Sequence, residues 1–175
     1  MKHICSTVLT EAGEDDVGTL LTAAVTGAGV TVTSTADTFT PILGIRCTPG
    51  YINLVNTIKQ IEIYNSTSRG LIYQLVLNPT ITPDLSWQTI DEGIIQQALG
   101  GTGYSVSNTG YLPVSNYSSP NSKGGFAQSD IARALAKLGA SVSGTPDTLF
   151  LIGRFLDNSG SNANVHAAMN ILMRG

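Results

Sequence analysis

The segment Thr148-Leu149-Phe150-Leu151-Ile152-Gly153-Arg154-Phe155-Leu156 is apolar at nearly every position, so neither face of a strand built from it suits water. Such a strand needs cover above and below and belongs in the middle of a packed β-sandwich. A polar stretch, Asp157 to Asn162, follows it. Then, from Ala163 to Arg174, Val165, Ala167, Met169, Ile171 and Met173 alternate with His166, Ala168, Asn170, Leu172 and Arg174. That is the period of two of a strand with distinct faces. Gly160 and the Asx residues around it tolerate tight backbone angles. The spacing therefore predicts that the chain closes on an antiparallel hairpin.

The rest of the sequence repeats this grammar. Strands are predicted at Ile4 to Leu9, Phe39 to Cys47, Ile58 to Tyr64, Leu71 to Leu77, Ser86 to Ile90 and Ile94 to Leu99. Leu20 to Val25 and Val30 to Thr35 flank Gly27-Ala28-Gly29 and read as a further hairpin. Pro41 and Gly44 break the strand at Phe39 to Cys47, and Gln60 and Glu62 give the next one a wet face. Leu71 to Leu77 is again apolar throughout, hence central. Short strands are expected at Tyr104 to Ser107 and Tyr111 to Val114, then a long exposed loop over Ser118 to Gly125. One short helix is predicted: Ser129 or Asp130 caps it, Ile131, Leu135 and Leu138 share a face, and Gly139 stops it. Eight to ten short strands between Gly, Pro and Asn turns define an all-β chain. It is expected to be a two-sheet antiparallel β-sandwich, jelly-roll-like, with one short helix. The 175 residues suit a single domain, 1–175.

Charged residues make up 12% of the chain, about half the usual share of about 25%. The surface must be carried by Thr, Ser, Asn, Gln and Gly. A net charge of −3 with scattered Lys and Arg argues against nucleic acid as a partner. No apolar run reaches the roughly 20 residues of a membrane span, so no membrane partner is expected. The first residues lack a signal-peptide core, so synthesis in a cytosol without export by that route is expected.

Candidate chemistry is sparse. Glu11, Glu14, Asp15 and Asp16 cluster, but without the spacing of a calcium loop. Asp84, Asp91 and Glu92 are the material for a glycosidase pair, yet all lie beside turn signals. Cys5 and Cys47 read as buried thiols, with a disulfide left open, and neither has metal-ligand spacing to His3 or His166. His166 is expected to be an exposed or hydrogen-bonded sheet histidine. Gly27-Ala28-Gly29 and Gly101-Thr102-Gly103 lack the strand-to-helix context of a phosphate cradle. Asn65-Ser66-Thr67 and Asn116-Tyr117-Ser118 match the glycosylation pattern by chance in so Asn- and Ser-rich a chain. No catalytic residue, cofactor or metal is expected. Tyr104, Tyr111, Tyr117, Ser118, Asn121 and Lys123 are the expected interface residues. The alternative is a carbohydrate-binding platform on Trp87 and Tyr104.

Several segments together resemble a group of bacteriophage virion structural proteins with a β-sandwich or jelly-roll domain. They are Cys5-Ser6-Thr7-Val8 with Glu11-Ala12-Gly13, Pro41-Ile42-Leu43-Gly44-Ile45-Arg46, Leu75-Val76-Leu77-Asn78-Pro79 with Trp87 downstream, and the closing segments Leu151 to Arg154 and Val165 to Arg174. The resemblance implies a non-enzymatic role as a capsid cement or decoration protein, made in the bacterial host cytoplasm and located in the virion. It implies homo-oligomers, trimers above all, and major capsid or other virion proteins as partners. A tail, baseplate or fibre component with receptor binding is the neighbouring expectation. The first motif lies so near Met1 that an N-terminal arm or partner domain is expected to be missing.

Overall fold

The computed structural model describes residues 19–35, 37–52, 55–90, 93–126, 137–141, 143–158 and 160–174. One sheet, sheet A, contains β1 (Thr19–Ala24), β2 (Val30–Val32), β4 (Val55–Asn65), β11 (Ser122–Phe126), β12 (Lys137–Leu138) and β14 (Ala163–Arg174). Sheet B contains β3 (Thr40–Cys47), β5 (Leu71–Leu77), β7 (Gln88–Ile90), β8 (Ile95–Leu99), β10 (Tyr111–Ser118) and β13 (Thr148–Phe155). A two-stranded ribbon of β6 (Thr80–Thr82) and β9 (Ser105–Asn108) completes the fold. Every pairing is antiparallel, and the two larger sheets pack as a sandwich.

The doubly apolar segment sits where its composition requires. In sheet B, ordered β10-β5-β13-β3-β8-β7, β13 lies between β5 and β3. Leu149, Leu151 and Phe155 point into the main core with Ile42, Leu71, Met169 and Ile171. Phe150 and Ile152 point the other way, into a smaller outer cluster with Val76, Phe39, Ile81, Leu85, Trp87 and Val106. The β6-β9 ribbon supplies Ile81 and Val106 to that cluster, so both faces of β13 are dry. Burying a side chain of this size contributes about 2 kcal/mol.

The closing strands do not form the expected hairpin. β13 belongs to sheet B, whereas β14 lies in sheet A between β1 and β4. The polar connection at 156–162 carries the chain from one sheet to the other. Nor do β1 and β2 pair with each other. Both pair with β14, end to end along one edge, with residues 26–29 looped out between them. Val25 N still donates to Ala167 O at 2.8 Å on one side of the loop, and Val30 faces Val165 on the other. Gly29, at φ +89°, has no room for a side chain above Val165 O and the His166 ring.

Four connections between the sheets converge at one end: 33–39, 66–70, 119–121 and 156–162. Arg69 ties three of them. Its Nε donates to Asp157 Oδ1 at 2.8 Å, its Nη1 to Ser161 O at 3.2 Å and its Nη2 to Ser34 O at 3.1 Å. Nη2 also donates to Asp157 O, and the guanidinium stacks 4.0 Å over the Phe155 ring. Buried Asn65 ties in the fourth by donating to Arg69 O and Ser119 O. This also places the first glycosylation-pattern asparagine out of reach of solvent.

Other expectations meet corrections. The stretch expected as a long loop is the short 119–121 connection, with Asn121 at φ +48°, followed by a strand; the connection crosses from β10 in sheet B to β11 in sheet A. Leu138, expected on a helix, lies in β12 opposite Asn56. Lys137 lies in β12 as well, opposite Thr57, and residues 129–136 of that expected helix lie outside the described residues. So do the expected first strand, the cluster from Glu11 to Asp16, and Cys5 and His3. A 3-10 turn at Pro49–Tyr51 precedes β4. No helix among the described residues is long and apolar enough to cross a membrane.

Candidate functional site

Tyr111 and Tyr117 are 59% and 63% exposed, the most exposed aromatic side chains among the described residues. Both lie on β10, at one edge of sheet B. Residues in register across a ladder share a face. Tyr117 is opposite Ile72, whose neighbour Val76 belongs to the outer cluster two rungs on. Tyr111 is opposite Leu77, which packs on the main core. The register shift between Tyr111 and Val114 thus turns the two tyrosines to opposite sides of one strand. Asn121 is exposed in the 119–121 connection, and Lys123 is exposed on β11, in sheet A. Ser118 is buried at 3% and donates to Ser119 O and Ser122 O inside the turn. Tyr104 stands apart from β10 and β11, half-buried just before β9, with its N–H on Gly101 O.

Trp87 is engaged in packing. Arg46 stacks 4.3 Å from its ring centroid, and Phe150 meets it edge to face at 5.6 Å. Arg46 is held in turn by its Nε–H bond to Gln96 Oε1 at 2.7 Å. A groove of about 180 Å³ beside Trp87 has Asp84 on its rim. Of the three carboxylates weighed for sugar cleavage, Asp84 alone lies among the described residues.

A second groove, of about 200 Å³, opens on the outer face of sheet A. Two neighbouring rungs build it. On one, Ala24 faces Ala168, which faces Glu62. On the next, His166 faces Tyr64, which faces Lys123. Methyl groups make its floor and rings its wall. The Tyr64 and His166 ring centroids are 6.4 Å apart at an interplanar angle of 38°. His166 Nε2 donates to Gly27 O at 3.2 Å, which fixes the imidazole beneath the 26–29 loop. Its Nδ1 is buried without a hydrogen-bond partner. The wet face of β4 and the sheet position of His166 were readable from alternation. The adjacency of Tyr64 to His166 was not, because it depends on pairing strands about 100 residues apart.

Cys47 is a free, buried thiol, and Asn56 Nδ2 donates to its Sγ at 2.9 Å. Burial pushes its pKa above the ordinary value; the Asn56 bond opposes this and the Asp147 charge adds to it. Thiolate is the reactive form, so iodoacetamide is expected to spare Cys47 in the native protein at mildly alkaline pH and to alkylate it fully in denaturant. Peptide mass spectrometry locates the label. Because the folded thiol ionises at higher pH than the unfolded one, its contribution to stability is complete below the unfolded pKa. It is lost as pH rises through the folded pKa.

Among the described residues, no group of three or more His, Cys, Asp or Glu side chains is arranged to hold a metal ion. No protein-family model matches the chain, and no curated protein or solved structure matches it.

Proposed function

We propose that this chain is a non-enzymatic structural protein that assembles with copies of itself, and that its particular role is to cement or decorate a virus capsid. The observation that carries the reading is the β10-β11 edge of the sandwich. It presents Tyr111 and Tyr117 to solvent from β10, Asn121 from the connection that follows and Lys123 from β11. Tyrosine supplies large contact area at low entropic cost and keeps a polar tip. A charge-poor surface lowers the desolvation cost of a broad contact. The Arg69 and Asn65 ties make the platform rigid, and repetition on a symmetric shell multiplies modest contacts.

Sedimentation velocity tests the assembly step. The wild type is expected to be an oligomer, a trimer in the favoured form. Tyr111→Ser/Tyr117→Ser is expected to shift it towards monomer with an unchanged circular dichroism spectrum. A monomeric wild type at high micromolar concentration removes the reading. Imaging of labelled protein on particles then separates shell from tail.

A further inference from the structure

We infer that the groove on the outer face of sheet A binds a neutral pyranose unit of a glycan. A sugar ring has an apolar C–H face and a rim of hydroxyls, so its site needs an exposed aromatic ring beside fixed donors and acceptors. The groove supplies both. Tyr64 is 42% exposed and lines the groove beside Ala24 and Ala168, the small residues of the neighbouring rung. Any larger side chain at those two positions would fill the space a sugar needs.

Glu62, which lines the groove, ends a chain of side chains that orient one another. Thr22 Oγ1 donates to Asn170 Oδ1 at 2.9 Å, Asn170 Nδ2 to Gln60 Oε1 at 3.4 Å, and Gln60 Nε2 to Glu62 Oε1 at 2.8 Å. Thr22, Asn170 and Gln60 come from β1, β14 and β4 on the rung next to the alanines, and Glu62 shares the alanines' own rung. Held this way, the carboxylate of Glu62 keeps a fixed acceptor for hydroxyls at the groove. Polar groups placed by such networks on rigid strands bind with little ordering cost.

Charge selects the class of sugar. Glu62 and Lys123 are the lining residues with opposite formal charges, and they cancel. Neither an anionic sugar nor a cationic ligand gains a net field there, whereas hydroxyls can use both groups. The site lies apart from the β10 tyrosines and shares only Lys123 with the surface proposed for assembly.

The test is a printed panel of neutral, sialylated and sulfated oligosaccharides probed with the full chain, followed by NMR titration with the free neutral sugar that scores best. Neutral hexose or N-acetylhexosamine ends are expected to bind in the millimolar to high-micromolar range, shifting the Tyr64, Ala168 and Ala24 signals. Tyr64→Ala removes the stacking ring, and Ala168→Leu fills the floor. Each is expected to weaken binding about tenfold or more, with unchanged circular dichroism, while Tyr51→Ser, at an exposed tyrosine outside the groove, binds as wild type. Silence across the panel, binding confined to sialylated or sulfated sugars, or binding that survives both groove substitutions overturns the inference.

Discussion

Arg69→Met is expected to lower the unfolding free energy by about 3 kcal/mol, the range for losing buried hydrogen bonds to a charged group. The guanidinium is almost fully buried and joins the 33–39, 66–70 and 156–162 connections, each of which passes between the sheets. Methionine keeps much of the contact with Phe155 but donates nothing to Ser34 O, Ser161 O or Asp157 O. Those carbonyls must then find water at the end of the sandwich or stay unpaired. Asp157→Asn is the informative control. Its side chain is half exposed, so the charge it contributes is screened, and the asparagine oxygen can still accept from Nε. A loss of about 1 kcal/mol or less is expected there. Urea unfolding followed by circular dichroism measures both. Equal losses for the two variants would mean that the ion pair, rather than the carbonyl ties, holds this end together.

The same end of the molecule explains what the sequence could and could not convey. β5 and β13 were legible because unbroken apolar runs require cover on both faces, and both strands lie inside sheet B. β14 was legible through its alternation. Their partners were not. Asp157 to Asn162 has the composition of a reversing turn, yet that chemistry specifies only that the chain turns. Whether the flanking strands pair or face one another across the core is decided by distant groups, here Arg69 and the apolar inner faces. Gly27 to Gly29 was ambiguous in the same way. It reads as a hairpin turn, but β14 offers one long edge that takes both flanking strands.

β11 escaped notice because Ser122-Lys123-Gly124-Gly125-Phe126 has little strand propensity of its own. Its glycines belong there because Tyr73 Oη lies 2.6 Å from where a Cβ on Gly124 would sit, and Ile61 O lies 2.5 Å from one on Gly125. The groove on sheet A shows a similar limit. Period two says that Tyr64 and His166 share a fate with water. Only the β4-β14 register says that they share a wall.

The second large effect is expected at Gly44, on the far side of sheet B. Gly44 faces Phe150 across the β3-β13 ladder, and a Cβ built on it would lie 2.1 Å from Phe150 Cε1 and 2.3 Å from Cζ. The aromatic ring therefore occupies the space above the glycine. It cannot swing away freely, because Trp87 packs against it at 5.6 Å and Arg46 stacks on Trp87 at 4.3 Å. Gly44→Ala is thus expected to cost about 2 to 3 kcal/mol by overpacking. It should also perturb Trp87 fluorescence, since Trp87 is the sole tryptophan. Phe150→Leu alone opens a cavity and is expected to cost a further 1 to 2 kcal/mol, roughly. Together the two changes should cost less than their sum by about 1 kcal/mol or more, because the smaller side chain vacates the space the new methyl needs. A strictly additive cycle, measured by urea unfolding, would place the cost of Gly44→Ala in the backbone of β3 instead of in the ring above it.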